Sequence, residues 1–455
     1  MDKKAQLSAA VVAGLASFLA PFMGSAVNIA LPSIGRRFGA DPVTLGWVAT
    51  AYLLSAAVFL VPFGRLADIH GRKKIFIIGI SLYTFASLLT ALAPSIPALI
   101  GFRVLQGCGA ALIFGTAVAI LTSVFPPGER GKALGINTAA IYLGLSLGPV
   151  LGGWLTHQFG WRSVFLFNIP LGLVIIVLVL GKLRGEWAES AGERFDLKGS
   201  VLYGLALVGI MLGFSRLPQE LGFILLLAGL ALVCGFVCLE NQAASPVLNF
   251  NLFRKNRVFA FSNLAALVNY SATFAVGFFL SLYLQYLKGM TPQSAGLILI
   301  AQPIVMTLFS PLAGRASDRI EPRTVASIGM ALSSAGLLLL ALLGADTSLG
   351  FVVASLAVLG LGFALFSSPN TNSVMSSVEK KHYGVAAATL GTMRLLGQMF
   401  SMGMAIMIFA VFIGRVEISA ANQAGFLRAT RTGFAIFAAL CFAGIFASLA
   451  RGRRK

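Results

Sequence analysis

The chain alternates between long apolar runs and short polar segments over its whole length. The apolar runs reach or exceed about 20 residues, the length that an α-helix needs to cross a hydrocarbon core of roughly 30 Å. Short segments of strict two-residue alternation, which a membrane β-barrel requires, do not account for this pattern. The sequence therefore predicts an all-α polytopic membrane protein with fourteen transmembrane helices. The predicted spans are 8–34, 44–66, 74–93, 97–124, 133–156, 162–182, 198–216, 220–240, 257–287, 293–314, 323–344, 348–376, 383–413 and 430–450.

One short segment between spans is dense in charge and has a second copy. Residues 64–74 read GRLADIHGRKK, and GRASD repeats the beginning of this pattern at 314–318. Such segments belong at a membrane face, in turns between spans 2 and 3 and between spans 10 and 11. Two six-helix halves in tandem would put the copy between spans 8 and 9, so an extra pair of spans indicates a 6+2+6 order.

This repeat predicts three parts of the chain. They are an N-terminal six-helix half (1–184), a cytoplasmic linker with an inserted helix pair (185–256) and a C-terminal six-helix half (257–455). The inserted pair contains almost no polar residues, so we expect it at the lipid-facing periphery.

Composition agrees with a membrane protein and indicates its orientation. Charged residues make up 11% of the chain, whereas a soluble protein would carry roughly a quarter. The net charge of +19 comes from basic residues in short loops, which argues against nucleic acid as a partner. Lys and Arg favour the loops on the side of the two termini by about three to one. We therefore predict a multi-pass protein of the plasma (inner) membrane, surrounded by lipid, monomeric, with both termini cytoplasmic.

Histidines and cysteines give no sign of an enzyme or a metal site. The three histidines are scattered, and the four cysteines all lie in apolar runs. A membrane-embedded enzyme would instead group such residues at one interface. We predict no metal, no cofactor and no enzymatic activity.

Several motifs resemble one known family. Residues 64–74 are similar to the loop 2–3 signature of the major facilitator superfamily, RVLQGCG (103–109) to its helix 4 motif, and GLSLGPVLGG (144–153) to its helix 5 antiporter motif. WRSVFLFNIP (161–170) and PNT (369–371) match the fourteen-helix drug:proton antiporter branch. The resemblance implies the major facilitator fold, a small-molecule substrate and alternating access between two halves.

The charged loop is a candidate conformational switch. Asp68 lies near a helix end, where it could pair with Arg72 or Arg65 and accept N–H bonds from a helix start in the other half. Bonds that form in one conformation and break in the other make a switch, and the resemblance implies such a latch. Asp318 is the counterpart in the second copy. A role as topology anchor alone remains the alternative.

The helix 5 motif suggests a second part of the switch. Gly148 and Gly152 continue a stripe of small residues that allows close backbone approach. Pro149 removes one backbone hydrogen bond and bends the helix. The resemblance implies that this face seals against a neighbouring helix and flexes when the halves rock.

Polar residues inside apolar spans are the candidates for substrate binding. Arg103 and Gln106 share a helix face in span 4, and Arg394 and Gln398 share one in span 13. Each polar residue alone could serve only to form a hydrogen bond between helices, but together they predict a water-accessible pathway. The predicted substrate-binding residues are Asn28, Arg103, Gln106, Asn137, Gln302, Asn370, Arg394 and Gln398.

The sequence departs from the branch at one position. The branch carries an acidic residue five positions before the asparagine of its N-x-A-L-P motif, and here Met23 stands there. On the predicted topology no carboxylate lies at mid-membrane, so the cavity would be positive and favour neutral, zwitterionic or anionic amphiphiles. Proton coupling, if present, would need a peripheral acid such as Asp68 or Glu129, or protonation of the substrate.

We therefore predict a secondary active transporter that exports small amphiphilic compounds. The alternative is a facilitator or symporter for a neutral or anionic metabolite. A receptor or scaffold would need neither the repeat nor the paired charged loops.

Overall fold

The computed structural model describes residues 3–126, 130–183, 185–188, 192, 195–242, 250–379 and 383–452. Within them lie fourteen helices long and apolar enough to cross a membrane, which confirms the predicted number. The helices are α1 Lys3–Phe38, α2 Pro42–His70, α3 Arg72–Ala91, α4 Ile96–Val124, α5 Arg130–Phe159, α6 Arg162–Leu166 with Asn168–Lys182, α7 Leu197–Arg216, α8 Glu220–Glu240, α9 Arg257–Thr273 with Val276–Leu282 and Tyr283–Leu287, α10 Pro292–Leu299 with Ala301–Arg319, α11 Pro322–Ala341, α12 Leu349–Ser376, α13 Tyr383–Phe412 and α14 Gln423–Leu449.

Because consecutive helices run in opposite directions, the start of α1 and the end of α14 lie on the same side. We call this side the terminal face and the opposite side the far face. Helices α1–α6 pack into one bundle and α9–α14 into another, with α1 against α5 in the first and α11 against α12 in the second.

The two inserted helices differ in their surroundings. Helix α7 lies against both α2 and α13, whereas α8 packs mainly on α7. Large apolar side chains of α8 such as Leu227 remain exposed, 68% in that case, as expected of a lipid-facing helix. The division of the chain at 184 and 256 remains a prediction.

Helix starts follow from ordinary capping chemistry. At the start of α2 the Asp41 carboxylate accepts hydrogen bonds from the backbone N–H groups of Val43 (2.9 Å) and Thr44 (3.1 Å). Ser95 and Ser348 cap α4 and α12 in the same way. These side chains satisfy N–H groups that have no partner within the helix.

Two interruptions have local causes. In α9 the N–H of Ala275 donates to the side-chain hydroxyl of Ser401 on α13 rather than continuing the helix pattern. In α10 the regular helix breaks at Ile300. Pro303 lies four residues after Leu299 and has no N–H to donate to the Leu299 carbonyl, so the regular hydrogen-bond pattern is interrupted here.

The last span starts earlier than the sequence suggested. Helix α14 begins at Gln423, seven residues before the predicted 430. The predicted span began at 430 and left Arg428 outside it. Arg428 is exposed and Arg431 donates from Nε to the carbonyl of Ala341, because long basic side chains can extend toward the membrane surface.

Candidate transport pathway

Helices α1 and α9 join the two halves in their far-face portions. Pro32 has no N–H to offer the carbonyl of Asn28 one turn earlier, and the Ser281 hydroxyl of α9 donates to that carbonyl at 2.6 Å. The Gln285 side chain donates from Nε2 to the carbonyl of Ile29 at 3.0 Å. Pro32 thus leaves the Asn28 carbonyl without a partner in its own helix, and a hydroxyl of the second half donates to this carbonyl.

Helices α5 and α10 make the second far-face contact. A Cβ at Gly153 would lie 2.6 Å from the carbonyl oxygen of Pro292, and one at Gly296 would overlap the carbonyl oxygen of Pro149. Real Cβ atoms do not come this close, so only glycine allows this approach of the two backbones. Together with the α1–α9 bonds, this contact closes the space between the halves at the far face.

The small-residue stripe of α5 also packs within its own half. A Cβ at Gly148 would lie 2.5 Å from the Cβ of Ser25, and one at Gly152 would lie 2.6 Å from that of Ala26. The stripe therefore faces α1, and Pro149 between the two glycines faces α10. The predicted role of these residues in flexing remains a prediction.

Nearer the terminal face, α5 contacts the second half through side-chain hydroxyl groups. The Ser146 hydroxyl lies 3.3 Å from that of Thr307, and the Tyr142 hydroxyl lies 3.1 Å from that of Ser367. Of the hydrogen bonds described between the halves, Tyr142–Ser367 is the nearest to the terminal face. The conformer is therefore closed at the far face.

A cationic group lies next to this last bond. Arg394, partly exposed on α13, donates from Nη2 to the Thr371 hydroxyl at 2.7 Å. Its guanidinium lies 5.7 Å from the centre of the Tyr270 ring. Thr371 in turn donates to the carbonyl of Ser367. We call Tyr142, Tyr270, Ser367, Thr371 and Arg394 the interface cluster.

Arg103 has different surroundings, inside the N-terminal half. It is 1% exposed, donates from Nε to the carbonyl of Val48 (3.0 Å) and from Nη1 to Oε1 of Gln106 (2.5 Å). The Tyr52 ring centre lies 4.3 Å from the guanidinium carbon. The Nε2 of Gln106 donates in turn to the Ser87 hydroxyl at 2.7 Å. The shared helix face is confirmed, but it points toward α2 and α3, so in this conformer neither residue reaches the space between the halves.

The other predicted residues are divided between these settings. Asn28 is buried where α1 meets α9, and Asn370 is buried beside Thr371; the side-chain oxygens of both have no hydrogen-bond partner. Gln302 and Gln398 are partly exposed. Asn137 accepts from Ser17 at 2.7 Å and joins α5 to α1 within one half.

Acidic groups lie away from these residues. In the described part of the chain every Asp and Glu lies in a connection or within about one turn of a helix end. Met23 is fully buried, and its sulfur lies 3.9 Å from Nδ2 of Asn168 on α6. The position of the usual acid is therefore packed inside the N-terminal half. No group of three potential metal ligands occurs among the described residues.

The charged loop forms its ion pair within its own half. Oδ1 of Asp68 accepts from Nε (2.9 Å) and Nη2 (2.7 Å) of Arg72, and Arg72 also donates to the Ser123 hydroxyl on α4. Arg65 lies one turn before Asp68 on α2. The side chain of Asp318 lies outside the described residues.

A carboxylate that was not among the predicted residues caps α3. Glu186, in the segment after α6, accepts hydrogen bonds from the N–H groups of Lys73 (2.8 Å) and Lys74 (3.1 Å). Gly71 makes room for it, because a Cβ there would lie 2.6 Å from the Glu186 carboxyl carbon. A lone glutamate in an irregular loop carries no pattern that would assign it this partner.

Two helical bundles around a polar interface closed at one face are the architecture of a membrane transporter that works by alternating access. Comparison with known proteins agrees. The profile of the Major Facilitator Superfamily matches residues 13–285 and 262–455. The chain belongs to this superfamily, as its motifs indicated.

Individual relatives agree on the family and differ in substrate. The riboflavin transporter RibZ of Clostridioides difficile is 30% identical over 94% of this chain and 93% of its own length. The cephamycin export protein CmcT of Amycolatopsis lactamdurans is 34% identical over 88% and 84%. A bacterial homologue of the human lysosomal transporter Spinster, solved in an inward-facing conformation, matches the whole of both chains with a TM-score of 0.71 and 16% identity, which supports the fold.

Proposed function

We propose that the protein exports small amphiphilic compounds, neutral, zwitterionic or anionic, by alternating access. The similarity to an export protein and the antiporter-type stripe on α5 support export. Arg394 carries the charge preference, because it lies partly exposed in the interface cluster while the described carboxylates lie near helix ends. A cationic group without a nearby acid attracts electron-rich ligands and repels cations.

The interface cluster and its neighbours form the proposed binding site. Arg394 and Thr371 offer donors, the Tyr270 ring offers a stacking face, and the unpartnered oxygen of Asn370 offers an acceptor. A buried amide oxygen without a hydrogen-bond partner destabilises the protein, and a ligand or water that donates to it removes this penalty. Gln302 and Gln398 would extend this site, with Asn28 at its far-face end. Arg103, Gln106 and Asn137 would support it from inside the N-terminal half.

The bias of Lys and Arg toward the loops of the terminal face supports a cytoplasmic location of that face in a plasma (inner) membrane protein. The described conformer would then be inward-facing, and a monomer would suffice for the cycle. The Asp68–Arg72 pair would exchange partners when the halves close on the cytoplasmic side. Any proton coupling would use such a peripheral acid, with no other cofactor. Glu129, the other candidate, lies outside the described residues.

A facilitator or symporter for a neutral or anionic metabolite is the second candidate. The similarity to a riboflavin transporter over nearly the full length of both chains favours it. The direction of proton flux in proteoliposomes separates the two proposals, because a substrate gradient drives protons against the substrate in an antiporter, along with it in a symporter and not at all in a facilitator.

Loss of Arg394 tests the proposed site. We expect Arg394→Ala to weaken binding of fluorescein or riboflavin by about 10- to 100-fold, because a charged hydrogen bond contributes about 1.5–3 kcal/mol. Ligand-induced shifts in melting temperature of the purified protein, recorded at two pH values, measure this loss. Arg428→Ala, which removes an exposed arginine from α14, serves as the control. A ligand shift that survives Arg394→Ala would place the site elsewhere.

A further inference from the structure

One residue of the inserted helix α7 is bonded to both halves at the far face. The Ser215 hydroxyl accepts from the indole Nε1 of Trp47 on α2 at 2.8 Å. The Ser215 carbonyl accepts from Nη2 of Arg415, which follows α13, at 3.4 Å. The inserted pair therefore touches the moving parts of the transporter on both sides.

Its attachment to the N-terminal half runs along α2. Nearer the terminal face, the buried hydroxyl of Tyr203 donates to the carbonyl of Ala57 at 3.1 Å. One residue further on, a Cβ at Gly204 would lie 3.1 Å from Cγ1 of Val58. Trp47 and Ala57 are ten residues apart on α2, about 15 Å along the helix, so two separated hydrogen bonds hold α7 on α2.

Its contact with the C-terminal half includes a close approach in the far-face part of α13. A Cβ at Gly403 would lie 2.9 Å from Cδ2 of Phe214 and 3.2 Å from Cε of Met211. Met211 is fully buried there. The hydrogen bond described on this side comes from exposed Arg415, and water screens such a contact. Apolar packing in a notch at Gly403 therefore dominates the contact with α13.

Helices α2 and α13 also meet across the halves near the far face, where a Cβ at Gly46 would lie 2.6 Å from Cγ1 of Ile406. Opening of the far face would separate these two helices, and α7 could then follow only one of them. We propose that α7 and α8 travel with the N-terminal half, and that the Met211 and Phe214 contact with Gly403 is a far-face latch that favours the closed conformer described here. A contact present in one conformer and absent in the other shifts the equilibrium by its own free energy. This latch would act whatever the substrate, so it goes beyond the proposed function.

Distances between spin labels at the far face test which half carries the inserted pair. In a variant without the four native cysteines, Gln219→Cys between α7 and α8 is paired with Gln158→Cys at the end of α5, or with Asp346→Cys between α11 and α12. All three positions are exposed. We expect one distance for the pair 158/219 and two for the pair 346/219. The reverse result would show that α7 follows the C-terminal half and would overturn the proposal.

Filling the notch tests the latch itself. We expect Gly403→Leu to raise the far-open fraction of the pair 346/219 by about tenfold, because the larger side chain expels Met211 and Phe214. Gly391→Leu on the same helix is the matched control, since nothing lies within 4 Å of a Cβ there. Met211→Ala removes the contact from the other side without added bulk and should shift the fraction in the same direction, even if Gly403→Leu does not fold. Unchanged distances in both variants would contradict a latch.

Discussion

We expect Gly296→Leu to abolish transport, with a loss of about 100-fold or more in rate. A side chain at this position would overlap the Pro149 carbonyl oxygen of the other half, so α5 and α10 could no longer meet at the far face. Without that contact the protein cannot complete the step in which the far face closes, and the cycle stalls. Gly153→Leu should act in the same direction, because its Cβ would meet the Pro292 carbonyl at 2.6 Å.

Transport of fluorescein or riboflavin into proteoliposomes measures the loss, and spin labels at 158 and 346 measure its cause. The label distance should increase in Gly296→Leu while the protein remains folded. Gly101→Leu provides the control, because nothing lies within 4 Å of a Cβ at that position of α4. Wild-type transport by Gly296→Leu would show that the α5–α10 contact is not part of the cycle.

We expect Arg103→Ala to lower stability by about 2–5 kcal/mol, because it empties a large buried volume and leaves hydrogen-bond partners unsatisfied. Gln106 would lose its donor, and the Tyr52 ring would lose the cation on its face. Arg103 does not reach the interface in this conformer, so ligand affinity of the folded fraction should change less than about threefold.

Thermal unfolding with and without riboflavin separates stability from binding. Arg103→Ala should melt at a lower temperature and keep its ligand shift, whereas Arg394→Ala should lose the shift with a smaller change in melting temperature. Arg103→Met, which keeps most of the side-chain volume, should recover part of the stability. Normal melting of Arg103→Ala together with loss of the ligand shift would make Arg103 a binding residue, as its sequence pattern had suggested.

The sequence was sufficient for the helices because the membrane imposes one length and one polarity on every span. Apolar runs predicted all fourteen, and the early start of α14 was missed because Arg428 lies within the helix and remains exposed. Two motif contacts are as the sequence suggested, since Gly148 and Gly152 pack against α1 and Asp68 pairs with Arg72; their roles in a conformational switch remain predictions.

The direction in which a polar residue faces was harder to predict. Arg103 with Gln106 and Arg394 with Gln398 have nearly the same spacing, yet one pair is enclosed in a bundle and the other lies beside the interface. The rotation of each helix decides this, and it depends on packing with distant segments. Tyr52 and Tyr270, which cover the two guanidinium groups, look like ordinary core residues in the sequence for the same reason.

A cationic site without a nearby carboxylate should select neutral, zwitterionic or anionic amphiphiles for transport. Fluorescein and rhodamine 123 share a xanthene core and differ in charge, so their transport rates in proteoliposomes test this selectivity directly. We predict that fluorescein crosses at least about tenfold faster than rhodamine 123 and that Arg394→Ala removes this advantage. Transport of rhodamine 123 at the rate of fluorescein or above would contradict a site with this preference.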